Sequence, residues 1–183
     1  MTETNGSYDL LGVIYHQHSN KLMLKILEYF PKEVPVIDIG CGHNFYVSVL
    51  IYAGYRASGC DMVDLGSKHF FEYDVTKPIA GRDSRVRNVI SLEVGEHIPM
   101  ELSAGYMDNL CRFRGDVIMS WAVPGQAGIG HVNCQPPEWV IEQMLKRGYC
   151  IDALRTGSLR QSVEDCHCSW FKNTLMYFSP VKK

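Results

Sequence analysis

Three groups of residues in this chain have types and spacings that suit binding a ligand and acting on it. The first is Asp38-Ile39-Gly40-Cys41-Gly42, which follows directly on the apolar pair Val36-Ile37. An acidic residue and two closely spaced glycines at the end of an apolar strand bring bare backbone up to a ligand at the carboxyl edge of a sheet. A pyrophosphate fits this turn poorly, because the dinucleotide fingerprint needs a glycine at the sixth position from Gly40, where Phe45 stands. The second group consists of carboxylates just beyond other short apolar runs: Asp61, Asp74, and the segment from Ser91 to Pro99, which holds Glu93, Glu96 and His97. The third is the stretch from Trp121 to Pro137, where prolines and glycines impose a shaped, non-helical path around Gln126, His131, Asn133 and Gln135. Its amides can hydrogen-bond a polar substrate, and its imidazole titrates near neutrality, as a general base should.

These groups need elements to hold them. Apolar residues at helical spacing between Tyr8 and Phe30, with Ser19 and Asn20 as caps and Pro31 as a stop, predict an entry helix. Strands are expected at 35–39, 57–60, 70–73, 87–92, 116–120, 149–154 and 174–178. Helices are expected at 45–53, 101–111 and from Pro137 or Glu138 to Arg147, and helical character around 159–165. Strands alternating with helices give βαβ units and a mostly parallel sheet covered on both faces. The expected fold is therefore α/β, a doubly wound seven-stranded sheet whose last strand, after a short connection, pairs antiparallel near the edge.

The bulk properties fit such a fold. At 183 residues the chain suits one substantial core, and one domain is expected: an N-terminal helical segment over 1–34 and an α/β core over 35–183. No apolar run is long enough to cross a bilayer, and no export leader is recognisable at the start. The seven cysteines are odd in number and dispersed, the pattern of reduced thiols in a cytoplasmic protein rather than a disulfide framework. The Cys166-His167-Cys168 spacing is not that of a zinc clip, so no metal site is expected. A net charge of −2 gives no electrostatic case for a nucleic-acid partner, and a small-molecule or glycan acceptor is expected instead.

The glycine turn, with Asn44 where a third glycine is expected, resembles motif I of the class I S-adenosylmethionine-dependent methyltransferases, a Rossmann-like family. Asp61, Asp74, the Leu92-Glu93-Val94-Gly95-Glu96-His97-Ile98 segment and the Ser120–Gly125 strand exit match that family's later motifs in order, over about Val36 to Gly148. Asn tolerates positive φ better than most residues, so the departure at Asn44 is a mild one.

The resemblance implies S-adenosylmethionine as cofactor, bound by Asp38, Gly40, Gly42, Asp61, Asp74 and Glu93. Asp38 would act near the methionine tail and Asp61 on the ribose diol, with Asp64 as its competitor. Asp74 would face the adenine amino group, with Val75 or Tyr73 packing on the ring. Glu93 would sit near the sulfonium, and Trp121 and Phe45 could contact it through cation–π attraction. His131 is the leading general base, with Glu93 and His97 as further catalytic candidates. Trp121, Gln126, His131 and Asn133 are the candidate acceptor-binding residues. Tyr15, His16 and His18 are candidates for a flap over the cofactor. The expected reaction is O-methylation of a small hydroxylated acceptor such as a sugar. Methylation of nucleic acid or protein and non-catalytic cofactor binding are the alternatives.

Overall fold

The computed structural model describes residues 17–62, 68–79, 87–163 and 167–181. Tyr15, His16, Asp64 and Cys166, named above, lie outside these residues.

Among the described residues seven strands form one sheet: β1 (Val36–Ile39), β2 (Ala57–Asp61), β3 (Phe70–Glu72), β4 (Arg87–Ser91), β5 (Arg114–Met119), β6 (Tyr149–Ile151) and β7 (Met176–Pro180). Their order is β3-β2-β1-β4-β5-β7-β6. The pairs from β3 across to β5 are parallel, whereas β7 runs antiparallel to both β5 and β6. The antiparallel strand is thus one place in from the edge. The strand order reverses between β1 and β4, and in open α/β sheets ligands occupy the crevice beyond the carboxyl ends of the strands at such a point.

Among the described residues six helices accompany the sheet: α1 (Asn20–Tyr29), α2 (Phe45–Tyr52), α3 (Ser103–Arg112), α4 (Pro137–Lys146), α5 (Ala153–Ser162) and the single turn α6 (Phe171–Thr174). Both faces of the sheet are buried, and the alternation of side chains along each strand shows how. Ile37, Ile39, Val89, Val117 and Met119 pack with Tyr106, Leu110, Val140 and Met144 of α3 and α4. Val36, Ile90, Ile118 and Tyr177 point the other way, onto Leu22 and Ile26 of α1, Leu50 of α2 and Leu159 of α5. Burial on both faces is why these strands read as continuous apolar runs rather than as polar–apolar alternation.

Several boundaries differ from the sequence expectation. Strand β6 stops at Ile151 rather than Leu154, because the Asp152 carboxylate accepts the Arg155 N–H and caps α5, which therefore starts at Ala153 rather than near Leu159. Strand β7 starts at Met176 rather than Thr174, since Phe171–Thr174 closes a helical turn. Helix α3 is preceded by a 3₁₀ turn at Met100–Leu102. At the other end of the chain Ser19 does cap α1, its hydroxyl accepting the Leu22 N–H at 3.2 Å. Among the described residues no helix is long and apolar enough to cross a membrane.

Candidate active site

The loop from β1 to α2 takes its shape from left-handed backbone. Gly40 (φ 78°), Gly42 (φ 49°) and Asn44 (φ 61°) all have positive φ. At Gly40 a side chain is excluded on a second ground, because a Cβ there would overlap the Val94 methyls. Asn44 does the work expected of the third glycine, standing in the αL region immediately before α2. Strand β2 braces the loop: the N–H groups of Gly40 and Cys41 donate to the Cys60 carbonyl at 2.8 and 3.1 Å. The Asp61 carboxylate accepts the Gly42 N–H at 2.9 Å and the Met62 N–H at 2.7 Å.

Asp38, on β1, is 2% exposed. Burial pushes its pKa up to about 8, and the nearby Asp61 carboxylate adds to the rise. A buried acid left this unfavourable to ionise suits a cationic ligand group, which would restore its charge.

The exit of β4 is equally constrained. The Ser91 hydroxyl donates to the Ile39 carbonyl at 2.6 Å and lies 2.7 Å from the Tyr106 hydroxyl, tying the ends of β1 and β4 together. Glu93 follows with φ 54°, in the left-handed region that a non-glycine residue occupies at a cost of order 1–3 kcal/mol. Ser120, at the end of β5, holds it there. Its hydroxyl accepts the Glu93 N–H and donates to the Glu93 Oε1, each at 2.7 Å. The Gln126 amide donates to Oε2 at 3.2 Å. Burial raises the Glu93 pKa, and the bonds from Ser120, Glu96 and Gln126 act against that rise.

The loop from β5 to α4 closes over the Glu96-His97 segment. The N–H groups of Val132 and Asn133 both donate to the Glu96 carbonyl at 2.9 Å, and the His97 Nδ1–H donates to the Gly130 carbonyl at 3.1 Å. The His131 Nδ1–H donates to the Gln126 carbonyl at 3.2 Å, and the Cys134 thiol lies 3.6 Å from the same nitrogen. The imidazole rests on bare backbone, because a Cβ at Gly128 would occupy its place. The two rings meet edge to face, with centroids 4.9 Å apart.

A cavity of about 290 Å³ opens at this point. Asp38, Gly40 and Cys41 from the end of β1 line it together with Glu93, His97, Gln126 and His131 from the exits of β4 and β5. His18 closes part of the rim, stacked on Phe45 with ring centroids 3.7 Å apart. Other expected site residues do not line this cavity. Asp61, half-buried, is not among the lining residues and holds the loop beside it through the Gly42 N–H. The Asp74 Oδ1 accepts the N–H and hydroxyl of Thr76, at 3.0 and 2.6 Å, which shapes the turn after β3. Trp121 is 1% exposed, its indole N–H given to the Asn133 carbonyl and its ring packed edge to face on Tyr106 and Trp139. Asn133 is buried as well, its amide N–H groups donating to the Ile98 carbonyl and the Ser103 hydroxyl. Trp121 and Asn133 therefore support the wall that carries His131 rather than forming its surface.

The cavity also includes residues that sequence reasoning did not single out: His43 from the glycine loop, and Trp170 and Phe171 from the start of α6. His43 sits inside the motif itself, so its position was available. Nothing in the local pattern around Trp170 announces a return to the mouth of β1. S-adenosylmethionine fits the residues present, which combine a glycine turn cleared of side chains at Gly40 with a buried carboxyl at Asp38.

By sequence, no family model and no curated protein matches the chain. By structure, magnesium protoporphyrin IX methyltransferase from Synechocystis PCC 6803, solved with bound S-adenosylhomocysteine, is similar at 18% identity and a TM-score of 0.55, over 72% of each chain. The sugar N-methyltransferase of Streptoalloteichus sp ATCC 53650 is similar at 12% identity and a TM-score of 0.63, over 88% of this chain and 85% of that one. The 1,6-didemethyltoxoflavin-N1-methyltransferase of Burkholderia thailandensis also gives 12% identity and 0.63, over 88% and 77%. At these identities the likeness is one of fold: the chain has the class I, Rossmann-like methyltransferase fold.

Proposed function

We propose that this chain is an S-adenosylmethionine-dependent methyltransferase that methylates a hydroxyl of a small acceptor such as a sugar. The observation that carries the reading is a cavity at the switch point of the sheet. It joins a buried, cation-seeking carboxyl at Asp38 to an imidazole and an amide at His131 and Gln126.

The cofactor, when bound, supplies an electrophilic methyl group on a sulfonium. Asp38 holds its ammonium, and the bare backbone at Gly40 and Gly42 lets the methionine tail approach. An ionised carboxylate offers about four lone-pair sites. Two of those on Asp61 are taken by backbone N–H groups, which leaves two for the ribose diol. Asp74 is assigned to the adenine amino group, beside Tyr73 and Val75. In the same cavity, Gln126 and Glu93 orient the acceptor and His131 takes its hydroxyl proton. Trp121 and Asn133 keep the loop in place. Positioning supplies most of the acceleration, and a base contributes typically 10²–10⁴-fold. The similar sugar and toxoflavin enzymes support a small acceptor, and their nitrogen chemistry makes amines the natural comparison set.

Isothermal titration with S-adenosylhomocysteine, followed by its release from S-adenosylmethionine across a library of sugars, phenols and amines, tests this reading. Saturable binding and turnover on a hydroxylated acceptor are expected. His131→Ala should lower turnover by about 10²-fold or more while retaining nucleoside affinity. Absence of binding by either nucleoside refutes the activity. Undiminished turnover in His131→Ala removes only its assignment as base.

A further inference from the structure

We propose that Glu96, His97 and His131 together bind a divalent cation of the zinc type, at a site open to the cavity. This does not rest on the methyltransferase reading, since the three side chains are present whatever the protein turns over. One ring nitrogen from each histidine and one carboxylate oxygen lie within 4.8 Å of one another. Bonds of about 2.0–2.1 Å in tetrahedral geometry set ligand atoms roughly 3.3 Å apart, so the three side chains would close by up to about 1.5 Å on binding.

A second observation points to a cation. Glu96 is fully buried, and although the Glu93 carboxyl and the N–H groups of Glu96 and Ala122 lie near its carboxylate, neither oxygen receives a hydrogen bond of full geometry. Buried polar groups are paired almost without exception, and buried carboxylates are paired or bind metal. The backbone needs only the Glu96 carbonyl, which receives Val132 and Asn133. Both rings are oriented as metal ligands are, each giving its Nδ1–H to a backbone carbonyl, Gly130 for His97 and Gln126 for His131. That arrangement fixes the tautomer and leaves the lone pair on Nε2.

Two imidazoles and one carboxylate form the donor set of open zinc sites, in which three protein ligands leave a further position for water or substrate. His97 and His131 line the cavity whereas Glu96 lies behind them, so the open position faces the bound acceptor. With the ion present His131 is a ligand and no longer the proton acceptor, and the ion itself makes a coordinated acceptor oxygen more acidic, which replaces the base role assigned to His131 in the metal-free site. The loop closure that brings Gly130 onto His97 is then also what assembles the site. Sequence spacing could not reveal this, because the third ligand comes from the next crossover of the sheet.

The test is metal binding by the full chain, read without any turnover assay. Metal-free protein titrated with ZnCl₂ in a calorimeter should take up one equivalent, and titration with Co²⁺ should produce the visible ligand-field bands of a nitrogen- and oxygen-ligated ion. Glu96→Gln and His131→Ala should each weaken zinc by at least about tenfold and reduce the Co²⁺ bands. Thermal unfolding shows that each variant is folded, and S-adenosylhomocysteine titration of the same samples reports on the cofactor site separately. Absence of saturable zinc binding overturns the proposal. So does zinc affinity unchanged in Glu96→Gln, which would place the metal on thiols elsewhere and leave Glu96 as a protonated partner of Glu93.

Discussion

Asp38→Asn separates the stability of this fold from its capacity to bind a cationic ligand. The folded-state pKa of Asp38 is pushed up to about 8 from 3.8, chiefly by burial. The folded state therefore binds a proton that the unfolded chain has already released at neutral pH, and wild-type stability falls as pH rises from about 4 to about 8. Each pKa unit is worth about 1.4 kcal/mol, so between pH 5 and pH 8 the loss has a ceiling of about 4 kcal/mol. The high effective dielectric of real protein interiors reduces this, and about 1–3 kcal/mol is expected. Asparagine does not titrate. The melting temperature of Asp38→Asn should therefore gain on wild type by roughly 3–10 °C between pH 5 and pH 8, at about 2–4 °C per kcal/mol for a chain of this size. Scanning fluorimetry of both proteins over that range cancels in the difference the titrating groups that do not interact with Asp38. Saturating S-adenosylhomocysteine, at about 100 times its Kd, should add about 2.7 kcal/mol to wild type and little to the variant. A gap that stays constant with pH, or that narrows as pH rises, refutes the account of Asp38 as a buried acid awaiting a cation.

Other substitutions probe the turn that surrounds it. Gly40→Ala places a methyl against Val94 at a positive φ; a stability loss of about 1–3 kcal/mol in urea unfolding and abolished nucleoside binding are expected. Asn44→Ala should cost about 1–2 kcal/mol for its left-handed conformation, while Asn44→Gly should recover most of that cost, as equilibrium unfolding of the pair would show. Asp61→Asn turns one acceptor into a donor facing the N–H of Gly42 or Met62. Losing that charged hydrogen bond should cost about 1.5–3 kcal/mol and weaken S-adenosylhomocysteine by at least about tenfold in titration calorimetry.

What the sequence determined is whatever depends on neighbours along the chain. The apolar pair before Asp38, the positive-φ requirement at Gly40 and Gly42, the tolerance of Asn44 for αL and the Ser19 cap are local properties, and each was legible residue by residue. The parallel sheet followed from strands alternating with helices. The Asp152 cap was equally local but was concealed by the β-forming run Tyr149-Cys150-Ile151, which extends naturally to Leu154 when the carboxylate is overlooked. Tertiary structure alone decided which polar side chains face the cavity. Trp121 and His131 share one loop, yet the fold buries the first behind the wall and presents the second, because Trp121 leaves β5 against α3 and α4 while Gly130 is drawn onto His97. It also set Asp61 to holding Gly42, placed Trp170 at the mouth of β1, and left the Glu96 carboxylate buried beside two imidazoles. Burial and long-range hydrogen bonds are relations between residues far apart in the chain, and no local pattern encodes them.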